Sequence, residues 1–373
     1  MQSFTDEHEE LRATVRKFLA DHSDEQAVRT QMSTDRGFDE AVWQQLAEQV
    51  GLTGLIVPEE HGGAGYGYVE LGIVAEEMGR ALLCAPYLST AVMATNALLQ
   101  CATSEAQKAL LPGIADGSTR ATLAWAEHGW NVGDIALTAQ EKDGGWTLDG
   151  TKQHVLDGAT ADVVLVAARG GAGLELFRVE ADAAGLGREA VPALDPTRKL
   201  STLTFSSTPA TKLSSGDVTE GLERTLALTL VVLASEQVGG AQWCLETASD
   251  YAKNRLQFGR PIGSYQGIKH KCAEMLVDVE VAKTAAYHAA QVAADCLAGD
   301  DDWSNLFEAA HMAKSFCSEA YFHAAAENIQ VHGGMGFTWE HPAHLYFKRA
   351  KASELLFGDA AHHREALAAR LSI

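Results

Sequence analysis

Two long apolar stretches with helical spacing, residues 226–253 and 268–297, are separated only by a short polar run, and a third follows at 306–329. Ile268, Cys272, Met275, Leu276 and Val279 mark one apolar stripe of the middle stretch. Long amphipathic segments joined by a short connection fold back on each other as a bundle. The connection reads Asn254-Arg-Leu-Gln-Phe-Gly-Arg-Pro-Ile-Gly-Ser-Tyr-Gln266. Pro261 fixes φ and Gly263 permits positive φ, so the turn is placed at these two residues, with the next helix beginning after Ser264. Arg255, Gln257, Phe258 and Gln266 gather there. A cation, two amides and an aromatic ring suit a flat anionic ligand, and a plain polar hairpin tip satisfies the same spacing.

The remainder of the chain divides by periodicity. Residues 4–118 read as helices, the first capped by Ser3, with further helices at 38–50 and 69–80. Gly62-Gly63-Ala64-Gly65 is not a dinucleotide fingerprint, because Tyr68 stands where the last glycine belongs and no strand precedes it; the loop is read as structural. From 119 to about 210 the pattern becomes short strands at 121–126, 135–139, 145–148, 162–168, 174–179 and 201–205. Lys142-Asp143-Gly144-Gly145 and Leu148-Asp149-Gly150 are read as turns between them. A small antiparallel barrel or sandwich is expected. The predicted organisation is α+β with three domains: helical 1–118, β 119–212, and a helical bundle 213–373.

Net charge −21 and a pI near 5.0 argue against nucleic acid or an anionic membrane as the main partner. A local pair such as Arg255 and Arg260 still outweighs the global field at short range. Cys84, Cys101, Cys244, Cys272, Cys296 and Cys317 form no C-x-x-C pair, so reduced thiols are expected and a zinc site is not. No basic region followed by an apolar run opens the chain, and no apolar stretch reaches about 18 residues, so a cytoplasmic protein is expected. The acidic turn at 299–302 is read as a solvated loop rather than a metal site.

Arg255-Leu-Gln-Phe-Gly-Arg-Pro-Ile-Gly263 with Tyr265-Gln266 resembles the flavin-contacting turn of the acyl-CoA dehydrogenase family. Gln330-Val-His-Gly-Gly-Met-Gly336, followed by Glu340, Pro342 and Tyr346 to Ala350, resembles a second motif of that family. Pro58-Glu-Glu-His-Gly-Gly-Ala-Gly65 and Glu76-Glu77-Met-Gly-Arg80 extend the likeness to nearly the whole chain. The resemblance implies an N-terminal helical domain, a middle β-barrel or sandwich and a C-terminal four-helix bundle. It implies FAD as cofactor, an acyl-CoA thioester as substrate and an electron-transfer flavoprotein as acceptor. Carried over by position, Arg255, Gln257, Phe258, Gln266, Gln330, Val331 and Gly334 are the FAD contacts, serving a flavin shared across a subunit interface. Gly333-Gly334 also reads as a helix C-cap, and His332 as a hydrogen-bonding loop residue rather than a metal ligand.

The departures concern the base. Where the family often places a glutamate before a glycine, this chain has Phe357 before Gly358. Counting back from Gly239 to the family's alternative base position gives Thr229; Glu223 stands too early in the helix. Glu236, in an otherwise apolar run, is a candidate because burial raises a carboxyl pKa, although it lies about 10 Å further along the helix, and a structural buried or interface carboxylate is the reading set against it. Asp359 is the other candidate. In the β region, His154 and Leu156 replace the tryptophan and threonine expected beside flavin, and Trp125-Ala126-Glu127-His128 replaces a Thr-Glu-Pro segment.

Four readings follow. The chain is one subunit of a hetero-oligomeric dehydrogenase, its homologous partner supplying the carboxylate, as in some bacterial members acting on steroid side-chain thioesters. Alternatively it is a self-sufficient homotetramer with an unusual base, a scaffold that kept the fold and lost the chemistry, or a flavin monooxygenase or nitroalkane oxidase.

Overall fold

The computed structural model describes residues 4–142 and 144–373. Its helices are α1 (Asp6–His22), α2 (Glu25–Met32), α3 (Glu40–Glu48), α4 (Tyr68–Arg80), α5 (Thr95–Cys101), α6 (Ser104–Ala115), α7 (Thr219–Asn254), α8 (Gln266–Ala298), α9 (Trp303–His332), α10 (Ala343–Leu355) and α11 (Ala360–Leu371). The strands are β1 (Ala121–Ala124), β2 (Thr138–Lys142), β3 (Gly145–Leu156), β4 (Val163–Gly170), β5 (Gly173–Glu180), β6 (Leu186–Val191), β7 (Leu200–Lys212), β8 (Leu256–Gln257) and β9 (Arg260–Pro261). The chain forms two compact units. One comprises residues up to Arg29 with Tyr68–Leu83 and Leu230–Ile373; the other comprises Thr30–Gly67 and Cys84–Thr229.

In the second unit the expected barrel closes. β4 pairs with β2, β2 with β3, β3 with β7, β7 with β5, and β5 again with β4. Leu148, Val155, Val164, Val166, Phe177, Val179, Leu203 and Phe205 form its buried core. Several details differ from the strand pattern read above. The strand expected at 135–139 starts later, as β2, with only Thr138 and Ala139 of that stretch in it. Leu148-Asp149-Gly150 is a bulge inside β3 and not a turn, because Gly150 takes φ 142° where a Cβ would meet Leu137 at 2.9 Å. β6 was not anticipated; its sequence Leu-Gly-Arg-Glu-Ala-Val offers little apolar alternation. β1 runs parallel to β4, so the sheet is not wholly antiparallel. β2 and β3 join where Lys142 faces Gly145, and Asp143 lies outside the described residues. The loop at 62–65 is structural: a Cβ on Gly63 would stand 2.0 Å from the Val57 carbonyl oxygen.

In the first unit α8 and α9 run antiparallel, joined by Lys271 to Glu327 at 2.6 Å and His323 to Asp278 at 2.7 Å. α10 and α11 pack on α9. α4 crosses α7 at two glycines: a Cβ on Gly79 would fall 1.9 Å from the Glu236 carbonyl oxygen, and one on Gly239 1.8 Å from that of Glu76. This contact explains the glycine of Glu76-Glu77-Met-Gly-Arg80. The same two glutamates hold α1, Glu77 accepting from Arg12 and Arg16. Ser3 lies outside the described residues; the side chain of Thr5 caps α1 in a capping box with His8. At 299–302, Gly299 caps α8 with φ 83° and Asp302 caps α9 by accepting from the Ser304 N–H, and no metal-binding group of acids, histidines or cysteines occurs among the described residues. Among the described residues no helix is long and apolar enough to cross a membrane. All six cysteines are free thiols, five of them buried.

Candidate functional site

α7 stops at Asn254 and the chain turns back as the two-residue strands β8 and β9. The reversal is made by Phe258 at φ 52° and Gly259 at φ 78°, two consecutive left-handed residues as a tight primed turn requires. It is therefore not made by Pro261 and Gly263. Pro261 lies in β9, and Gly263 is required for packing, since a Cβ there would approach the Ala252 carbonyl oxygen to 2.9 Å. The Ile262 N–H donates to the Arg255 carbonyl at 2.8 Å, the Tyr265 hydroxyl to the Gln257 carbonyl at 3.1 Å, and the Arg260 guanidinium lies 4.0 Å over the Tyr265 ring. The tip is exposed, Phe258 at 92%.

α9 ends beside this arm. The ion pairs along α8 and α9 run in antiparallel register, which places Gln266, the first residue of α8, at the same end as Gln330. Tyr251 of α7 stacks on His332, the last residue of α9, at 4.3 Å. Gly333 follows as C-cap with φ 61°, so that reading of the glycine pair holds. Arg255, Gln257, Phe258, Gln266, Gln330 and Gly334 are exposed around one end of the unit, whereas the side chain of Val331 is buried within the bundle. The side chains of Arg255, Gln257, Gln266 and Gln330 have no hydrogen-bond partner among the described residues. No atom stands within 4 Å of a Cβ built on Gly333 or Gly334. A free guanidinium, free amides, an exposed ring and bare glycine backbone fit the pyrophosphate and flat rings of FAD.

In the barrel unit the two altered segments meet. The Gln153 N–H donates to the Ala126 carbonyl at 2.9 Å, and Trp130 lies 5.9 Å from Trp125 and 5.5 Å from His154. His154 takes φ 54° at a bulge of β3. Beneath them Lys152 is wholly buried, its Nζ donating to Glu127 Oε1 at 2.7 Å and to the Trp125 carbonyl at 3.0 Å. Glu127 also accepts from the backbone of Ala136 and Leu137. Burial raises the Glu127 pKa, but the Lys152 and backbone donors outweigh it and hold the carboxyl below its usual range. Burial pushes Lys152 down to about 8 against the pull of Glu127. The sequence reading missed this pair; the only signal for it was a lysine inside an alternating strand.

The carboxylates weighed as bases are engaged elsewhere. Glu236 Oε1 accepts from the buried Arg349 guanidinium at 2.9 Å. It is an ion-pair partner in helix packing, which agrees with the reading of Glu236 as a structural carboxylate and leaves no free base there. Asp359 caps α11, accepting from the His362 N–H at 2.8 Å. Thr229 is buried and donates to the Thr225 carbonyl, and Glu223 is exposed. Phe357 is buried with φ 63°. The segment carrying it is pinned by Lys314, whose buried Nζ donates to the carbonyls of Glu354 and Gly358 and to Ser318.

A unit of long helices carrying an arm suited to a flat dinucleotide and a second unit holding a closed barrel are the parts of a flavin-dependent dehydrogenase fold. The chain matches "Acyl-CoA dehydrogenase, N-terminal domain" over residues 5–118 and "Acyl-CoA dehydrogenase, C-terminal domain" over 222–372. It is 38% identical over 351 residues to acyl-CoA dehydrogenase IpdE2 of Mycobacterium tuberculosis, covering 94% of this chain and 93% of that protein. Among solved structures it is similar to a variant of the "Tcur3481-Tcur3483 steroid ACAD" (TM-score 0.88, 33% identity, 98% of each chain). It is also similar to the "ChsE4-ChsE5 complex" of Mycobacterium tuberculosis (TM-score 0.89, 26% identity, 100% and 99%). The chain belongs to the acyl-CoA dehydrogenase family, FAD-binding oxidoreductases that act on the CH–CH bond of acyl-CoA thioesters.

Proposed function

We propose that this chain is one subunit of a hetero-oligomeric acyl-CoA dehydrogenase whose homologous partner supplies the catalytic carboxylate. The observation that carries this reading is the state of the candidate bases: Phe357 fills one position, Thr229 the other, Glu236 is paired with Arg349, and Asp359 caps a helix. The two-chain names of both solved relatives support it, and the word steroid in one of them favours a ring-bearing acyl group.

In this reading Arg255, Gln257, Phe258, Gln266, Gln330, Gly334 and the backbone at Val331 hold FAD. Bound FAD supplies the hydride acceptor. Arg255 offers a charge-assisted hydrogen bond to pyrophosphate, and the exposed ring of Phe258 offers a face to a flat ring. The α-proton leaves to a carboxylate of the partner, because Phe357 and Thr229 stand at the two base positions here and Glu236 and Asp359 are engaged elsewhere. Electrons pass on to an electron-transfer flavoprotein. The division into domains 1–118, 119–212 and 213–373 and a cytoplasmic location belong to the same proposal; the family matches at 5–118 and 222–372 support the first.

The test is the absorbance spectrum of the chain purified alone, with an acyl-CoA panel that includes steroid side-chain thioesters. Weak flavin retention and no bleaching are expected, with both restored by the homologous subunit. Full turnover by the lone chain overturns the proposal.

A further inference from the structure

The imidazole of His332 is the point where three segments of the arm meet. On one side it stacks on Tyr251, in the last turn of α7 just before Arg255, with centroids 4.3 Å apart and planes at 29°. On the other it meets His341 at 4.3 Å, in the loop that carries the exposed Phe337 and Trp339. It is itself the last residue of α9, between Gln330 and the Gly333-Gly334 cap. Only 5% of it is exposed, in a region whose recognition groups are almost all solvent-facing. Its orientation is fixed: Nδ1 donates to the Asn328 carbonyl at 2.9 Å. A Cβ on Gly336 would stand 2.8 Å from His332 Cβ, so that glycine is what lets the following turn close over the ring. His341 is fixed in turn, its Nδ1 accepting from the Ala343 N–H at 3.2 Å.

We propose that His332 is a positioning residue, a ring rivet that joins the Arg255 hairpin, the Gln330–Gly334 turn and the 335–341 loop into one preformed surface for FAD. The proposal rests on the reading that this arm holds the cofactor. Strands of two residues are too short to hold a hairpin by themselves. The hairpin is also fastened to itself and to the start of α8. The Tyr251–His332 stack is what ties its root to α9. Without it the groups that meet FAD would each need ordering on binding, which weakens affinity. Burial keeps His332 below the usual histidine range, and the uncharged ring is the form that stacks on a second imidazole without repulsion. His341 is lowered likewise, by burial first and then by His332.

The experiment compares wild type with His332→Ala, His332→Phe, Tyr251→Ala and Arg255→Ala. Amide hydrogen exchange is followed in the full chain, and FAD dissociation in the flavin-loaded assembly. His332→Ala should speed exchange in both 255–266 and 330–336 by about tenfold and release FAD about tenfold faster, the worth of one to two lost ring contacts. His332→Phe keeps a ring without the donor and should remain within about threefold of wild type. Tyr251→Ala should reproduce the faster exchange at 255–266 while 330–336, still held by His341, stays nearer wild type, and the double variant should be no worse than His332→Ala. Unchanged exchange in His332→Ala, or equal loss in the alanine and phenylalanine variants, overturns the rivet. Should His332→Ala fail to fold, Tyr251→Ala and His332→Phe decide the question. If Arg255→Ala retains FAD as tightly as wild type, the cofactor reading fails instead, whatever the exchange shows, and the role given to the rivet fails with it.

Discussion

The buried pair of Lys152 and Glu127 makes an asymmetric prediction. Glu127→Ala removes the counter-charge of an ammonium that is wholly buried, leaving it only the Trp125 carbonyl, and it strands the N–H groups of Ala136 and Leu137. An uncompensated buried charge costs about 3–5 kcal/mol, so the loss should fall in that range. It is capped because the amine can give up its proton: burial already pushes Lys152 down to about 8, and the Glu127 charge is what holds it up. Lys152→Met removes the other half. Glu127 then keeps its backbone donors, so the cost is that of a hydrogen bond to a charged group, about 1.5–3 kcal/mol. The order should be Glu127→Ala worse than Lys152→Met, and the double variant well short of the sum. The assay is urea unfolding followed by tryptophan fluorescence, since Trp125 and Trp130 flank the pair. Proton linkage gives a second reading. Between about pH 8 and the ordinary lysine value of 10.5, the unfolded lysine is protonated and the folded one is not, so this group makes stability rise with pH across that window. Lys152→Met should remove that rise. Lys152→Met costing as much as Glu127→Ala, or single effects that add within about 0.5 kcal/mol, would refute the reasoning.

Two further outcomes follow from buried groups elsewhere. Arg349→Met takes the buried guanidinium away from Glu236 and should cost up to about 3–5 kcal/mol, most of it recovered by adding Glu236→Leu; Glu236→Gln should leave the kcat of the reconstituted assembly within about twofold, and a collapse of kcat without loss of flavin would restore Glu236 as a base. His311 and His363 share a contact of 2.8 Å between their Nδ1 atoms. Burial first, then neighbouring cations and histidines, pushes them down to about 4 and about 2. Their contribution is complete above the ordinary histidine value of 6.5 and is lost as pH falls from there toward 4, so the drop in urea midpoint from pH 7 to pH 5 should shrink when both are replaced by leucine.

What the sequence made legible was periodicity and punctuation. The long stretches became α7, α8 and α9 because their apolar residues repeat with the helical period, and the strand spacing announced a β region. Local rules misplaced what depends on partners far along the chain. Pro261 and Gly263 looked like the turn, yet Phe258 accepts positive φ, and Gly263 is small because Ala252 lies against it. Leu148-Asp149-Gly150 has turn composition, but pairing with β7 on both sides carries the strand through it as a bulge. The site followed the same division. The arm could be read because its residues lie close together in sequence, and its second half because it ends a helix with paired glycines. The fate of the candidate bases could not be read, since Glu236 meets Arg349 from another helix and Asp359 is claimed by the helix it begins. Phe357 was visible as a substitution, but its meaning depends on Lys314. That buried lysine holds the carbonyls of Glu354 and Gly358, so the segment between them is kept in a fixed bend with a ring where a carboxylate would be expected. A shape held so firmly around a residue that cannot take a proton is understandable if the chain's task is to complete a site whose acid–base chemistry belongs to another subunit.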